Sequence, residues 1–199
     1  MPAPPPPAPA PAPGALPDGL GLRALWREDL AAHGGDWTRP GFRAVAVHRF
    51  GVWRMGVKPK ALRAPLSVLY RWAFRRVRNG YGIELPYSAA LGRRVVIEHQ
   101  GAIVVHGHCV IGDGCVIRQG CTLGNKTMDR PLDAPVLGKN VNVGAGAKLL
   151  GAIHVGDGAA VGANAVLTRD VPAGGLAVGV PAVVKQREAA QPAHAQEAA

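Results

Sequence analysis

Three histidines lie within ten residues of mostly apolar sequence, in the stretch VVIEHQGAIVVHGH (95–108). His99, His106 and His108 could ligate a metal, pack in a core or transfer protons, because imidazole titrates close to neutral pH. His106 and His108 are two residues apart and therefore share one face of an extended strand. His99 stands apart from that pair, so the elements around it must decide its chemistry.

The three cysteines follow directly after these histidines and are six residues apart, at Cys109, Cys115 and Cys121. A metal site is one interpretation, but the same spacing of six governs the apolar residues around them. We therefore interpret them as small core residues on three successive sides of one coil. An odd number of cysteines also argues against a disulfide framework and favours a reducing compartment, which predicts a cytoplasmic protein.

A repeat of six residues dominates the chain from residue 81 onward. A period of six fits neither a helix, at 3.6, nor simple strand alternation, at 2, and it predicts a parallel β-helix of hexapeptide units. Large apolar residues would fill its interior and glycine its corners. The clearest series is Leu137, Val143, Leu149, Val155, Val161 and Leu167, with an upstream series at Val105, Ile111, Ile117 and Leu123.

The repeat breaks twice, and breaks in a regular scaffold are where functional groups are commonly placed. The step from Ile97 to Val105 is eight residues, and the step from Leu123 to Leu137 is fourteen. The first break contains EHQG (98–101) and therefore His99. The second contains NKTMDRPLDAP (125–135).

The remaining sequence predicts four segments. Residues 1–18 hold nine of the eighteen prolines, which predicts a disordered Pro/Ala extension without the regions of a signal peptide. Residues 19–80 predict helices, two of them opening at Pro40 and Pro65. Residues 81–184 form the β-helix, and 185–199 a C-terminal tail. No apolar run is long enough to predict a transmembrane segment.

The net charge of +10 is confined to the helical segment, where residues 19–80 carry 13 Lys/Arg against 3 Asp/Glu. Arg71, Arg75 and Arg78 share one helical face. A solvated basic face and an anionic partner, such as a membrane surface or polysaccharide, both remain open. No motif with interleaved aromatic residues points to nucleic acid.

The β-helix region resembles the serine O-acetyltransferases of the left-handed parallel β-helix superfamily. GAGAKLLGAIHVGDGAAVGANAV (144–166) and AVGVPAVV (177–184) carry the superfamily resemblance, and GIELPYSAALGRRVVIEHQGAIVV (82–105) is the more specific part. The resemblance implies acetyl transfer from acetyl-CoA to a hydroxyl, with L-serine as acceptor in cysteine biosynthesis. It also implies a homotrimer or dimer of trimers, and no metal.

In that family a histidine of the specific segment is the catalytic base, and an acidic residue fifteen positions earlier orients it. The resemblance places these roles on His99 and Glu84. The family has Asp at the orienting position and before the histidine, where this chain has Glu84 and Glu98. Glu98, Asp36 and Arg130 are the implied substrate-binding residues. The acyl donor would contact Gly144, Ala145, Gly162 and Ala163, whose small size suits a ligand close to the backbone.

Two differences from the family pattern affect which acceptor and which protein partner we expect. The family's Arg-His pair in the extended loop falls on Asp133 and Ala134, with Arg130 nearby, and this favours a sugar or exopolysaccharide precursor as an alternative acceptor. Many family members end in Ile, which docks into the next enzyme of cysteine synthesis. This chain ends in Ala199, so we expect no stable complex of that kind.

Two other classes of function remain. A zinc hydratase resembling the γ-carbonic anhydrases would share the β-helix, but the spacing of His99, His106 and His108 differs from the spacing those enzymes need. A non-catalytic scaffold attached through the basic helices is the second. A metal assay and a thioester-cleavage assay distinguish both from an acetyltransferase.

Overall fold

The computed structural model describes residues 16–186, in which a helical region precedes a coil of short parallel strands. Most of the Pro/Ala extension and of the C-terminal tail, including Ala199, lies outside the described residues. The helical region has one 3₁₀ helix and three α-helices: Pro17–Gly19, then α1 (Leu22–Ala32), α2 (Pro40–Met55) and α3 (Lys60–Tyr81).

The start of α3 differs from the sequence-based expectation. The helix begins at Lys60 rather than at Pro65, which lies inside it. Its first turn forms on the carbonyl of Pro59, which accepts hydrogen bonds from the amides of Leu62 and Arg63, both at 3.0 Å. Pro65 costs the helix one backbone donor but leaves this earlier turn intact. The predicted start of α2 at Pro40 is confirmed.

Strands of two or three residues stack into three parallel faces. Face 1 contains β1 (Ile83–Glu84), β4 (Ile103–Val105), β7 (Thr122–Gly124), β10 (Lys148–Leu150) and β13 (Val166–Leu167). Face 2 contains β2 (Ala90–Leu91), β5 (Val110–Ile111), β8 (Val136–Leu137) and β11 (His154–Val155). Face 3 contains β3 (Val96–Ile97), β6 (Val116–Ile117), β9 (Asn142–Val143), β12 (Ala160–Val161) and β14 (Leu176–Val178), with β15 (Val183–Lys185) antiparallel to β14.

The sequence period explains this architecture, since three hexapeptides make one turn of the coil. Leu149 pairs with Leu167, eighteen residues later, and Leu137 pairs with Val155 at the same interval. The apolar residue of each hexapeptide is buried in the interior, as at Leu149 and Leu167, both with no exposed surface. Burial of such side chains contributes about 1.5–3 kcal/mol each.

Both expected breaks in the repeat are present as longer coils. Ile83 pairs with Ile103, a coil of twenty residues, because two extra residues sit between β3 and β4. Leu123 pairs with Leu149, a coil of twenty-six residues, because the loop 125–135 is inserted between β7 and β8. Each insertion leaves the strand register intact on either side.

The cysteines are core residues, as predicted. Cys109, Cys115 and Cys121 are free thiols with no exposed surface, one before each of β5, β6 and β7. Burial raises the pKa of Cys109 to about 12 and that of Cys115 to about 11, so these thiols stay protonated at neutral pH.

The helical region covers the first coil of the β-helix. Gly41 at the start of α2 lies against Ile97, so closely that a Cβ there would sit 1.9 Å from the carbonyl oxygen of Ile97. The buried ring of His33, after α1, accepts a hydrogen bond from the Ile97 amide at its Nε2, 3.3 Å away. These contacts hold the loop between α1 and α2 beside the first break in the repeat.

Candidate active site

His99 lies in the turn that leads from face 3 to face 1, inside the two-residue insertion. Its backbone is in the left-handed region, with φ of 65°, and Gly101 and Ala102 follow at 100° and 51°. A non-glycine residue in this region is strained and is commonly found at functional positions. The side chain of His99 is exposed, so the insertion presents its imidazole to solvent.

The insertion is held on both sides by backbone hydrogen bonds. The amide of Gly101 donates to the carbonyl of Tyr81 at the end of α3, 2.9 Å away, and the carbonyl of Gly101 accepts from Gly120 at 2.8 Å. Gly82 has a φ of 64°, and a Cβ there would lie 3.1 Å from Gly101 Cα. The turn carrying His99 is therefore fixed between the end of α3 and the next coil.

Glu84 lies on β1, two residues after Gly82, which packs against the His99 turn. The carbonyl of Gly82 accepts a hydrogen bond from Ile103 at 2.9 Å, and Glu84 pairs with Val104 across face 1. Its half-buried side chain belongs to the coil next to the His99 turn. Glu84 and His99 form no hydrogen bond or ion pair with each other here. Catalytic hydrogen bonds are often long without substrate and shorten in the complex.

The residues implied for the acyl donor lie along the same edge as His99, which we call the 3–1 edge. Strand register stacks the turn at Glu98–Gly101 below the turns at Arg118–Gly120, Gly144–Gly146 and Gly162–Asn164. Coils rise by about 4.8 Å each. The turn at Gly144 is therefore about 10 Å from the His99 turn and the turn at Gly162 about 14 Å. The edge can hold an extended ligand.

Gly144 and Gly162 are also required by the coil itself. A Cβ on Gly144 would lie 2.6 Å from the amide nitrogen of Ala163, and one on Gly162 would lie 2.8 Å from a methyl of Val178. Ala163 is exposed and Ala145 is half-buried. The alanines, more than the glycines, thus form the surface that a ligand on this edge would meet.

Arg118 lies on the same edge and contacts Glu98, which was not expected from the sequence. Its Nε lies 2.8 Å from a carboxylate oxygen of Glu98, and its Nη1 donates to Asn142 Oδ1 at 2.5 Å. Lys148 donates to the carbonyl of Gly120 on the same edge. Arg118 follows an inward apolar residue just as Glu98, Gly144 and Gly162 do. The register of the repeat therefore predicts that Arg118 lies on the same edge as these three residues.

Asp36 lies in the loop that the helical docking holds near the His99 turn. Its Oδ1 accepts hydrogen bonds from the amide and hydroxyl of Thr38, at 2.8 and 2.6 Å. These bonds lower the pKa of Asp36, which keeps it an anion at neutral pH. The loop is also linked to the end of α3, because Arg43 donates to the Trp37 carbonyl at 3.2 Å and to the Tyr81 hydroxyl at 2.5 Å.

Arg130 lies at a different edge of the same chain. The loop 125–135 leaves the coil between faces 1 and 2, whereas His99 lies between faces 3 and 1. Arg130 is 72% exposed and pairs with Asp133 at 3.5 Å. Ala134, which matches the family's loop histidine, is buried. Within one chain, face 1 therefore separates Arg130 from His99.

His106 and His108 also lie at the edge between faces 1 and 2. Their rings stack with centroids 5.3 Å apart, and Nδ1 of His106 accepts a hydrogen bond from the His108 amide at 3.3 Å. Within residues 16–186, no three His, Cys, Asp or Glu side chains converge in a geometry that could hold a metal ion. No helix in that range is both long and apolar enough to span a membrane.

Residues 134–169 match the model of the bacterial transferase hexapeptide family (six repeats). The chain is 34% identical over 169 residues to a serine acetyltransferase of Synechococcus elongatus, covering 83% of this chain and 66% of that protein. It is 46% identical over 101 residues to a serine acetyltransferase of Helicobacter pylori, covering 51% and 59%. The chain thus spans just under two thirds, or less, of these relatives' length.

Solved structures give the same relationship. Soybean serine acetyltransferase complexed with serine matches with a TM-score of 0.69 and 29% identity, covering 82% of this chain and 69% of that one. The expected fold, a left-handed parallel β-helix preceded by a small helical region, is confirmed by this similarity together with the three parallel faces.

Proposed function

The chain belongs to the hexapeptide-repeat transferases and is related to the serine acetyltransferases, and on this basis we propose that it makes O-acetyl-L-serine from acetyl-CoA and L-serine. The observation that carries the proposal is the position of His99. It occupies an insertion in an otherwise regular coil, exposed and held from both sides, at the foot of the edge that carries Gly144 and Ala163.

In this proposal His99 is the general base. An alcohol attacks a thioester slowly at neutral pH unless a base accepts its proton in the transition state. His99 takes the proton of the serine hydroxyl while the oxygen bonds to the acetyl carbonyl carbon. The tetrahedral intermediate then expels the CoA thiolate, which receives the same proton from the imidazolium. Glu84 orients the ring and stabilises its charged form, as carboxylates do in related dyads.

The donor lies along the 3–1 edge, with the acetyl group near His99 and the pantetheine arm passing Ala145 and Ala163. The stacking of these turns at about 4.8 Å per coil supports this placement, since it gives a groove long enough for an extended chain. Acetyl-CoA enters as a substrate, and the proposed mechanism uses no metal.

The acceptor would be held by Glu98 and Asp36 near His99 and by Arg130. Arg130 lies across face 1 in its own chain, so it can reach the site only from a neighbouring subunit. This supports a site shared between subunits of a homotrimer or dimer of trimers. Sedimentation showing only monomers at micromolar concentration would contradict the shared site.

A sugar or exopolysaccharide precursor is the second candidate acceptor. It is favoured by the loop, where Arg130 is engaged by Asp133 and the position of the family's histidine is taken by buried Ala134. Ala134 has no polar side-chain group, so it cannot replace a histidine that contacts a small amino-acid acceptor. The catalytic pair and the donor edge are the same for both acceptors.

Incubation with acetyl-CoA and a panel of acceptors, followed by release of free CoA, tests the proposal. We expect release that depends on L-serine and is lost in His99→Ala. Release with sugars but not with serine would establish the second candidate. The absence of release with every acceptor would contradict an acetyltransferase.

The proposal includes a cytoplasmic location, which the three buried cysteines without a disulfide support. It also includes the absence of a stable complex with the next enzyme of cysteine synthesis. Calorimetric titration with the cognate sulfhydrylase tests this, and submicromolar binding that requires the last residues would contradict it.

A further inference from the structure

The outer face of α3 exposes large apolar side chains. Leu62, Val68, Leu69 and Trp72 are each 50–61% exposed. The opposite face holds buried Tyr70 and Val77 and packs against the rest of the protein. The exposed residues fall on one side of the helix at spacings of three, four and seven, so they form a continuous apolar strip.

Arginine and lysine flank this strip, and no acidic residue interrupts it. The helix carries six basic residues and no Asp or Glu over its 22 residues. None of the six forms an ion pair with a carboxylate in the part of the chain that the structure describes. Exposed basic residues are Lys60, Arg71, Arg75, Arg76 and Arg78. The face thus combines apolar surface with positive charge that has no acidic partner inside the protein.

A groove between α2 and α3 continues the same surface. Its volume is about 820 Å³, and its floor includes Val47 and Val77. Trp37, 65% exposed, and Trp72 stand at its sides, and Arg43 and Arg76 lie over these rings with guanidinium carbons 5.2 and 5.9 Å from the ring centroids. No acidic residue lines the groove. An apolar floor with a cationic rim suits molecules with an apolar body and an anionic head.

We propose that the outer face of α3, with this groove, binds the surface of an anionic lipid bilayer. Tryptophan prefers the boundary between headgroups and acyl chains, and arginine beside it contacts anionic headgroups. At 1.5 Å per residue the helix is about 33 Å long and lies in the plane of the membrane. Pairing with a second copy of this face would bring two sets of six positive charges together, which opposes that occupant.

Cosedimentation with vesicles tests the proposal on the full chain. Vesicles of phosphatidylcholine with 30% phosphatidylglycerol should bind the protein at low salt, and vesicles of phosphatidylcholine alone should bind it far more weakly. Binding should weaken as salt screens the charges. Equal binding to both vesicles, or retention in the supernatant with the anionic ones, overturns the proposal.

Substitutions on α3 test whether this face is the one that binds the vesicles. Arg71→Gln with Arg75→Gln should weaken binding about thirtyfold, the equivalent of roughly 1 kcal/mol per charge at an anionic surface. Trp72→Ala should weaken it about tenfold through lost apolar contact. The matched control is Lys139→Gln with Arg169→Gln, which removes two exposed charges from the β-helix and should leave binding unchanged.

Two results would overturn the assignment. An equal loss in the control would show a response to net charge rather than to this face. Self-association that Trp72→Ala abolishes, without vesicle binding by the wild type, would identify a second copy as the occupant. The readout is binding alone, so it does not depend on acetyl transfer or on the acceptor.

Discussion

Arg49 of α2 and Asp29 of α1 form an ion pair with no exposed surface, with Arg49 Nε 2.9 Å from Asp29 Oδ2. The same guanidinium donates to the carbonyls of Leu91 and Gly92 in the first coil, at 2.8 and 2.6 Å. One side chain therefore joins both helices to the β-helix. The loop that contains Asp36 connects α1 and α2. The pair therefore stabilises the position of this loop without contacting the candidate site itself.

Loss of one member of this pair should destabilise the protein strongly. Asp29→Asn leaves a buried guanidinium without its counter-charge, and we expect the free energy of unfolding to fall by about 3–5 kcal/mol. Urea denaturation measures it. Arg94→Gln removes a partly exposed pair with Glu28 and should cost less than about 1 kcal/mol. Equal losses in the two variants would show that Arg49 does not link the elements.

Acid should destabilise the fold through His48. The ring is buried, with Nε2 2.9 Å from the carbonyl of Ala89, and desolvation and the charge of Arg49 lower its pKa to about 3. The unfolded chain binds a proton below about pH 6.5 and the folded chain does not until near pH 3. Stability should therefore fall with decreasing pH across that window, by up to about 1.4 kcal/mol per pH unit.

His48→Gln keeps a donor for Ala89 but cannot titrate, so its stability should depend less steeply on pH. Burial also lowers the pKa of His33, with the same sign, so the slope should decrease without vanishing. Denaturant midpoints between pH 4 and 8 measure it. An identical slope in variant and wild type would contradict the assignment to His48.

His99→Ala should lower kcat by about 10²–10⁴, the usual contribution of a positioned acid–base group. The thermal midpoint should not decrease, because the side chain is exposed and a smaller residue keeps the turn. Activity within threefold of the wild type would show that His99 is not the general base.

Glu84→Gln should lower kcat because an amide cannot stabilise the imidazolium as an anion does. The pH–rate profile of this variant should shift relative to the wild type, which a purely structural role of Glu84 would not cause. Glu84→Asp, with the carboxylate retained, should recover part of the rate. A profile identical to the wild type in Glu84→Gln would contradict the proposed dyad.

Ala163→Trp should raise KM for acetyl-CoA at least tenfold while leaving KM for the acceptor within about twofold, since the exposed side chain would occupy the proposed pantetheine path. Ala173→Trp places the same ring at an exposed turn between faces 2 and 3 and serves as the control. Initial rates at varied acetyl-CoA measure both. If Ala163→Trp left the KM for acetyl-CoA unchanged, the proposed binding of the donor along the 3–1 edge would be wrong.

The repeat of six determines most of the β-helix from sequence alone, because each inward apolar residue recurs at the spacing of one face. The spacing of eighteen residues assigns Leu149 and Leu167 to the same face, and the break in the repeat marks the insertion that carries His99. The buried cysteines follow from the same rule. Local periodicity was sufficient in these cases because coils contact mainly their immediate neighbours.

Contacts between residues distant in sequence required the tertiary structure. The position of Arg130 depends on which corner of the coil its loop leaves. Arg118 joins Glu98 only when two coils stack, and the loop that contains Asp36 lies beside the first break in the repeat only because His33 and Gly41 contact Ile97. Sequence spacing fixes the direction in which a side chain leaves a repeating coil, but the packing of one element on another decides which side chains meet.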